Sequence, residues 1–388
     1  MRYCDSILGS LLKLIDRRQF EAIVDRHNGN AYDKKFDSWS HLVCLIGAQL
    51  SGVRSLRELE AAWKANTHHH YHLGSGRLSR STLSDANQRR PTAIFADLFD
   101  VLVGQAVGGL PGHSKQIVRL IDSTPIPLGQ VVKWAQWNGR IRGLKLHVVY
   151  DPDSDIAHRL SITPALVSDI SFGRAMPIEA NKTYVYDKAY CHYGWWTDID
   201  RGGAWFVTRP KANARFRTLR KRPLAVRQGD GFTVLEDAEV VFASKGDSKL
   251  DISLRLIRLK RHDSGHSLVL LTNDMTRSAV QIADLYKARW QIELLFRWIK
   301  QHLNIRSFIG RSDNAVRLQI LAAMIAFLLL RIAARLHRLT MPAIRFAQLV
   351  GRCLFVRKPL ARIDKPPQVN PSRASSTTHL NQLQFGYA

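Results

Sequence analysis

Apolar residues in the first quarter of the chain recur at helical spacing. The stretches SHLVCLIGAQL at residues 40–50 and SLRELEAAWKA at 55–65 show this pattern most clearly. In the second stretch, Ser55 comes before the apolar positions and Glu58 follows three residues later, which is typical of a capping box at a helix start. The pattern predicts a helical region over residues 1–105.

From about residue 116 the pattern changes to short runs rich in β-branched and aromatic residues. LKLHVVYD at 144–151 and KTYVYDKAY at 182–190 are two of them. Nearly continuous apolar strands are typical of a sheet that is buried on both faces, so we expect helices, including one around 168–180, to pack against it. The predicted fold class is α/β.

After residue 209 apolar and polar residues alternate and glycines interrupt the pattern, which predicts a β-rich insertion. Apolar residues at helical spacing return after it. The Pro-, Ser- and Asn-rich C-terminus predicts a flexible basic tail. The predicted regions are 1–105 (helical), 106–209 (first part of the core), 210–275 (β-rich insertion), 276–350 (second part of the core, helical) and 351–388 (tail).

The longest uncharged apolar run covers residues 318–330, which is shorter than the roughly 20 residues that a membrane span needs. The N-terminal sequence MRYCDSILGS lacks the cleavage pattern of a signal peptide. We therefore expect a cytoplasmic protein without membrane association.

The charge balance is strongly basic. The 388 residues include 57 Lys and Arg against 32 Asp and Glu, a formal net charge of +25. Such an excess indicates a polyanionic partner, and nucleic acid is the leading candidate, although a basic protein without this function is an alternative. In GRLSRSTLSDANQRRP at 76–91, Arg80, Arg89 and Arg90 either contact DNA phosphates and base edges or lie on a solvated helix face.

The stretch YKARWQIELLFRWIKQHLNI at 286–305 predicts one helix with two faces. At about 100° per residue, five residues fall on one side and the Leu, Ile and Phe residues on the other. The polar set is Tyr286, Arg289, Glu293, Arg297 and Lys300. Surface ion pairs between residues four apart would explain this set without any catalytic role.

Two aspartates at predicted strand ends favour a catalytic interpretation. Asp122 ends the apolar run IVRLI, and Asp187 follows TYVY. Carboxylates at such positions are costly unless they are paired or bind a metal. With Glu293 they supply oxygen ligands of the kind that Mg²⁺ prefers, and Arg289 and Lys300 would then hold phosphates.

These residues also carry a resemblance. Tyr286, Arg289, Glu293 and Lys300 are similar to the Y-x2-R-x3-E-x6-K signature of bacterial DDE transposases of insertion sequence family 4. LIDST around Asp122 and YVYDKAY around Asp187 resemble the first two acidic motifs, although Lys188-Ala189 stands where Arg-Gly is frequent. The helical N-terminal region is similar to that of many of these transposases.

The resemblance implies an RNase H-like core interrupted by the insertion and preceded by a helical DNA-binding domain. Asp122, Asp187 and Glu293 would be catalytic and bind two Mg²⁺ ions, for which Mn²⁺ would substitute. It further implies binding of double-stranded terminal repeats, strand cleavage through a hairpin intermediate, transfer to target DNA, a homodimer that pairs two ends, and association with the bacterial nucleoid. Tyr286 would contact the DNA backbone near the cut.

Several alternatives stay open at this point. The protein is also compatible with a catalytically inactive or domesticated DNA-binding protein, or with a metal-dependent endonuclease that does not join strands. Arg297 either joins the phosphate contacts or pairs with Glu293. Asp169 either caps the following helix, which we favour, or supports the acidic site. Trp205, Phe216 and Phe232 are candidates for an aromatic contact with a distorted DNA end.

Overall fold

The computed structural model describes residues 4–31, 36–108, 117–129, 132–242, 252–303 and 308–365. Helices from the N-terminal third and from the C-terminal part of the chain pack with a central ten-stranded mixed sheet. The predicted α/β class is therefore confirmed.

Side-chain caps start most of the helices in the N-terminal region. Asp16, Asp37, Ser55 and Ser79 each accept a hydrogen bond from a backbone N–H of the first turn that follows. Glu58 accepts from the N–H of Arg54, so the expected capping box is only half formed. The helices are α1 (Ile7–Leu12), α2 (Arg17–Arg26), α3 (Ser38–Ser51), α4 (Leu56–Ala65), α5 (His70–Leu73), α6 (Arg80–Arg89) and α7 (Thr92–Gly108).

The strands of the sheet come from both sides of residue 209. Their bounds are β1 (Ile117–Pro127), β2 (Gly143–Asp151), β3 (Ile156–Pro164), β4 (Lys182–Tyr186), β5 (Trp205–Thr208), β6 (Phe216–Lys221), β7 (Gln228–Gly229), β8 (Phe232–Phe242), β9 (Leu254–Arg261) and β10 (Ser267–Thr272). Their order is β3-β2-β1-β4-β5-β10-β9-β8-β6, with β7 on β8. β1 and β5 pair with β4 in parallel, and the other pairs are antiparallel.

The sheet is continuous across the predicted start of the insertion. β10 pairs with β5 through Leu271 and Thr272, which joins β6–β10 to the first five strands. Strands β6–β10 fall within the predicted insertion 210–275, and they extend the central sheet. Residues 243–251 of the predicted insertion lie outside the described residues.

α8 (Asp169–Ala175) and α9 (Tyr193–Arg201) lie on the chain between strands, and α10 (Ala279–Ala288), α11 (Trp290–His302), α12 (Asp313–Leu336) and α13 (Ala343–Arg352) follow the sheet. The prediction of one helix over 286–305 is wrong. Arg289 separates α10 from α11, because its N–H donates to the carbonyl of Tyr286 and its carbonyl accepts from Ile292, each three residues away. Residues 304 and 305 lie outside the described part of the chain.

α12 forms the centre of the helical layer. It packs against α7 and α3, and 83% of its most apolar window is buried inside the protein. The helix extends beyond the apolar run seen in the sequence and is long and apolar enough to cross a membrane by length and composition. Its burial against α3 and α7 accounts for that composition, because a core helix is apolar on all sides.

The prediction of a flexible tail from residue 351 is wrong for residues 351–365. Leu354, Leu360 and Ile363 are buried, and Val356 accepts a hydrogen bond from the N–H of Ile7. Apolar residues between the basic ones thus fix this segment against α1. Residues 366–388 lie outside the described residues.

Candidate active site

Asp122 lies inside β1, at the point where one of its two neighbours stops. The parallel pairing with β4 ends at Ile121 and Tyr186, whereas the antiparallel pairing with β2 continues to Pro127 and Gly143. The expectation that Asp122 ends its strand is therefore wrong. Asp122 thus lies on β1 at the first position that no longer pairs with β4. The N–H of Ser123 donates to its Oδ1 at 2.8 Å.

Asp187 directly follows β4, as the sequence pattern predicts. Its backbone is extended, and a short 3₁₀ helix begins at Lys188. Ile121 pairs with Tyr186 at the end of the β1–β4 pairing. The next residues, Asp122 and Asp187, therefore lie side by side at the carboxyl end of this parallel pair. The hydroxyl of Tyr286 donates to Oδ1 of Asp187 at 3.4 Å.

Glu293 reaches the same place from the first turn of α11. The guanidinium of Arg289 connects it to Asp122: Nη2 lies 2.7 Å from Glu293 Oε1, and Nη1 lies 3.4 Å from Asp122 Oδ2. The apolar face predicted for this stretch is confirmed, since Ile292 and Ile299 are fully buried. The structure thus brings all three predicted acids together around Tyr286 and Arg289.

Burial dominates the electrostatics of Asp122. It raises the pKa of this carboxyl to about 6, against the opposing effects of the Ser123 N–H and Arg289, and the carboxylates of Glu293 and Asp187 act in the same direction as burial. A site in which negative charge is costly attracts a cation. The positive guanidinium that Asp122 and Glu293 share shows that these two carboxylates can face one cation.

No group of three His, Cys, Asp or Glu side chains in the described residues is already arranged to hold a metal ion. The donor set nevertheless fits a divalent metal, because it consists of carboxylate oxygens at a point where positive charge is favoured. The guanidinium of Arg289 is the positive group that contacts both Asp122 and Glu293 in this structure.

Asp169 supports the site and does not cap α8. The N-cap position belongs to Ser168, which makes no side-chain cap bond, so our preference for capping is wrong. Oδ1 of Asp169 accepts from the hydroxyl of Ser123 at 2.8 Å and from Lys145 Nζ at 3.1 Å. The sequence pattern missed Ser123 and Lys145. Only the position of Ser123 beside Asp122 was a signal, since the strand pairing that brings Lys145 close is not local.

Three of the residues in the stretch 286–305 that were predicted to contact DNA differ in exposure. Tyr286 is buried, and its hydroxyl donates to Asp187. Arg297 is exposed, and its guanidinium lies 5.8 Å from the ring centroid of Trp290. Glu293 pairs with Arg289 and not with Arg297 in the described part of the chain. Lys300 is half-buried on the same helix.

The predicted contacts of α6 differ in the same way. Arg80 and Arg89 are exposed at opposite ends of the helix, and Arg80 pairs with Glu60. Arg90 is buried, and its guanidinium donates to the backbone carbonyls of Phe36 and Asp37. The prediction that Arg90 contacts DNA is therefore wrong, because a guanidinium bonded to two carbonyls inside the protein fixes the chain before α3.

The three candidate aromatic residues do not form one surface. Phe232 is buried in the core, and Phe216 packs edge-on against Phe242 with ring centroids 5.0 Å apart. Trp205 belongs to β5 and lies under the guanidinium of Arg277. The burial of Phe232 excludes it as an exposed contact for a DNA base.

A family model described as a transposase DDE domain matches residues 113–329, which include all three acids. The chain belongs to the DDE transposase family. A second model, described as a domain of unknown function, matches residues 3–75 of this transposase.

Relatives support the same assignment. A Sinorhizobium fredii protein named as a transposase is 58% identical over 305 residues, covering 79% of this chain and 85% of that protein. A Geobacillus stearothermophilus protein named as a transposase for insertion sequence element IS5377 is 31% identical over 215 residues, 55% of this chain and 56% of its own. A Synechocystis protein named as a transposase for element IS4SA is 44% identical over 52 residues, 13% and 15% of the two chains. The protein is thus an insertion-sequence DNA transposase, and divalent metal dependence is general in its family.

Proposed function

We propose that this transposase is of the insertion sequence family 4 type and moves its element by cutting and pasting. It binds the terminal inverted repeats, nicks the element ends, lets each freed 3′-hydroxyl attack the opposite strand to give a hairpin, and joins the reopened 3′ ends to target DNA. The observation that carries the proposal is the meeting of three carboxylates, one on β1, one directly after β4 and one on α11, two of them bridged by one arginine.

We assign an RNase H-like core to residues 106–209 and 276–350. The order β3-β2-β1-β4-β5, with β4 and β5 parallel to the central β1, supports this assignment. Residues 210–275 are the β-rich insertion, and residues 1–105 are the helical DNA-binding region. One acid on β1, one directly after the neighbouring β4 and one on α11 support a single site beside the end of the β1–β4 pairing.

Asp122, Asp187 and Glu293 would hold two Mg²⁺ ions, or Mn²⁺ in their place, and these ions would activate the attacking oxygen and stabilise the leaving oxygen. The protein's own residues orient this set. Arg289 fixes Glu293 relative to Asp122, and the N–H of Ser123 fixes the Asp122 carboxylate. Tyr286 orients Asp187 through its hydroxyl.

Phosphate contacts come from cations around the acids. Lys300 lies two turns beyond Glu293 on α11, and Arg297 is exposed between them. A DNA strand lying along α11 would place phosphates against both side chains, and Arg80 and Arg89 offer further contacts from α6. Pairing of two element ends would require two copies of the transposase, and it acts in the cytoplasm at the nucleoid.

The test uses a plasmid that carries the reading frame with its flanking DNA. In Mg²⁺ the transposase should cut at the element ends and give hairpin and joined products, and Glu293→Gln should abolish cleavage while leaving DNA binding intact. Glu21→Gln, an equally small change at an exposed glutamate on α2, is the control. Cleavage by Glu293→Gln would refute the site.

The same assay separates the rival functions. Binding of the flanking DNA without cleavage by the wild-type protein would favour an inactive or domesticated DNA-binding protein. Hydrolysis without joined products would favour an endonuclease. Both outcomes would contradict the proposed transposition activity of this chain.

A further inference from the structure

A surface cavity of about 530 Å³ lies between the N-terminal helices and the segment that precedes α12. Four of the residues that line it are arginines: Arg54, Arg57, Arg80 and Arg311. The side chains of all four are exposed. The cavity therefore concentrates positive charge at the surface, and none of the three acids described above lines it.

Most of this charge has no acidic partner within the described part of the chain. Arg80 pairs with Glu60 at 3.3 Å. Among the described residues, no carboxylate forms an ion pair with the guanidinium of Arg54, Arg57 or Arg311. Glu58, which is adjacent to Arg57, accepts from the backbone N–H of Arg54, and Asp313, two residues after Arg311, pairs with Arg317. The cavity is thus complementary to an anion that comes from outside the chain.

Two helices begin at the cavity, and both carry an arginine in the first turn. Ser55 caps α4, in which Arg57 is the second residue, and Ser79 caps α6, in which Arg80 is the first. A helix N-terminus carries partial positive charge, so a cation there opposes the helix dipole and costs stability. Residues that break a local rule without a structural gain are expected at functional sites.

Exposed aromatic residues in the segment 132–142 lie beside the cavity, and this segment leads into β2, which pairs with the strand of Asp122. The indole N–H of Trp134, in the loop between β1 and β2, donates to the carbonyl of Arg311 at 2.8 Å. Trp134 and Trp137 are both exposed on this loop, with the basic Lys133 and Arg140 beside them. These two basic side chains extend the positive surface along which a DNA backbone can lie.

We propose that this cavity binds backbone phosphates of duplex DNA. The arginines and the two helix N-termini hold the phosphates, and the exposed segment 132–142 extends the contact beside Arg311. The inference rests on the proposed DNA binding, and it adds an anchor whose residues are separate from those of the acidic site. Because phosphate contacts carry no sequence information, the anchor serves any sequence equally.

The test compares full-length proteins by fluorescence anisotropy with a short labelled duplex of arbitrary sequence, in EDTA and over a series of salt concentrations. Arg54→Ala/Arg57→Ala should weaken binding and reduce the slope of log K against log salt by roughly 0.9 for each phosphate that the variant no longer neutralises. Arg18→Ala/Arg345→Ala, which removes two exposed arginines elsewhere, is the matched control and should change the slope less.

Thermal unfolding supplies a second readout. Arg57→Ala should unfold at the same or a higher temperature than the wild type, because it removes a cation from a helix start, while it weakens DNA binding. The inference is overturned if the double variant binds with the wild-type slope, if the control pair changes the slope equally, or if the wild type does not bind the duplex. The Glu293→Gln cleavage result is independent of the first two outcomes, so failure of this anchor and failure of the proposed chemistry are distinguishable.

Discussion

The guanidinium of Arg289 bridges Glu293 at 2.7 Å and Asp122 at 3.4 Å, and so ties an acid of α11 to an acid of β1. Arg289 is the junction residue between α10 and α11. Because the guanidinium sits between the two carboxylates, it balances their repulsion and fixes their separation.

Arg289→Met should therefore lower stability by about 1 kcal/mol, the order expected for a partly buried ion pair, and reduce strand cleavage strongly. Arg289→Lys should recover most of the stability and little of the cleavage, because a lysine keeps the charge but cannot reach both carboxylates with a planar fork. Chemical denaturation and the plasmid assay measure the two effects. Full cleavage by Arg289→Met would contradict the role of the bridge.

Divalent metal should stabilise the folded protein through Asp122. Mn²⁺ added to the wild type should raise the melting temperature, because a ligand that binds only the folded state stabilises it. Asp122→Asn should abolish this rise, while Asp153→Asn, at an exposed turn after β2, should retain it. A metal-induced rise that persists unchanged in Asp122→Asn would exclude this carboxylate as a ligand.

The pH dependence of that metal effect follows from the raised pKa of Asp122. A carboxyl must lose its proton to bind a metal, and the pKa of this one is about 6 because it is buried. The metal-induced stabilisation should be full above about pH 7 and decline as the pH falls through 6, whereas an ordinary carboxyl would retain it to about pH 4. Calorimetric unfolding with and without Mn²⁺ at a series of pH values tests this, and a midpoint near 4 would count against it.

Tyr286→Phe separates two roles for this tyrosine. Its hydroxyl contacts Asp187 at 3.4 Å, and the side chain is only 8% exposed. If it orients Asp187, as its burial indicates, the variant should bind DNA like the wild type and cleave several-fold more slowly. The weak hydrogen bond predicts a stability loss of less than about 1 kcal/mol. Weaker DNA affinity at unchanged cleavage chemistry would instead support the backbone contact expected from the sequence.

The sequence pattern located the acids better than it located their surroundings. Asp187 could be placed at a strand end because TYVY is a local run of apolar residues. Asp122 could not be placed inside β1, because continuation of that strand depends on its antiparallel pairing with β2, which is not local. The α10–α11 break was missed for a related reason: no Gly or Pro marks it, and Arg289 keeps helical backbone angles.

Burial also determines the roles of several side chains, which the spacing of residues in the sequence could not predict. Arg90 follows Arg89 directly in the sequence, yet one guanidinium is inside the protein and the other outside. Which of the two turns inward depends on the carbonyls of Phe36 and Asp37, far away along the chain. The role of Asp169 could not be predicted for the same reason, since this residue begins α8 and its partners Ser123 and Lys145 lie on β1 and β2.

Acid should destabilise the N-terminal helical region through His41. This side chain is fully buried, and burial, assisted by Arg90, lowers its pKa from 6.5 to about 3. The unfolded chain therefore binds a proton between pH 6.5 and 3 while the folded chain does not, so the stability from this residue is complete above pH 6.5 and declines as the pH falls. The decline should reach roughly 2–3 kcal/mol by pH 4.5.

His41→Leu provides the comparison for this acid effect. The variant should be less stable at pH 7, because it leaves the buried Asn87 amide without its partner at 2.8 Å. Its stability should nevertheless fall less steeply with acid, because the group that takes up the proton on unfolding is absent. Denaturation series at several pH values compare the slopes, with His72→Leu as the control at an exposed histidine. Parallel slopes for the wild type and His41→Leu would assign the acid sensitivity to other groups.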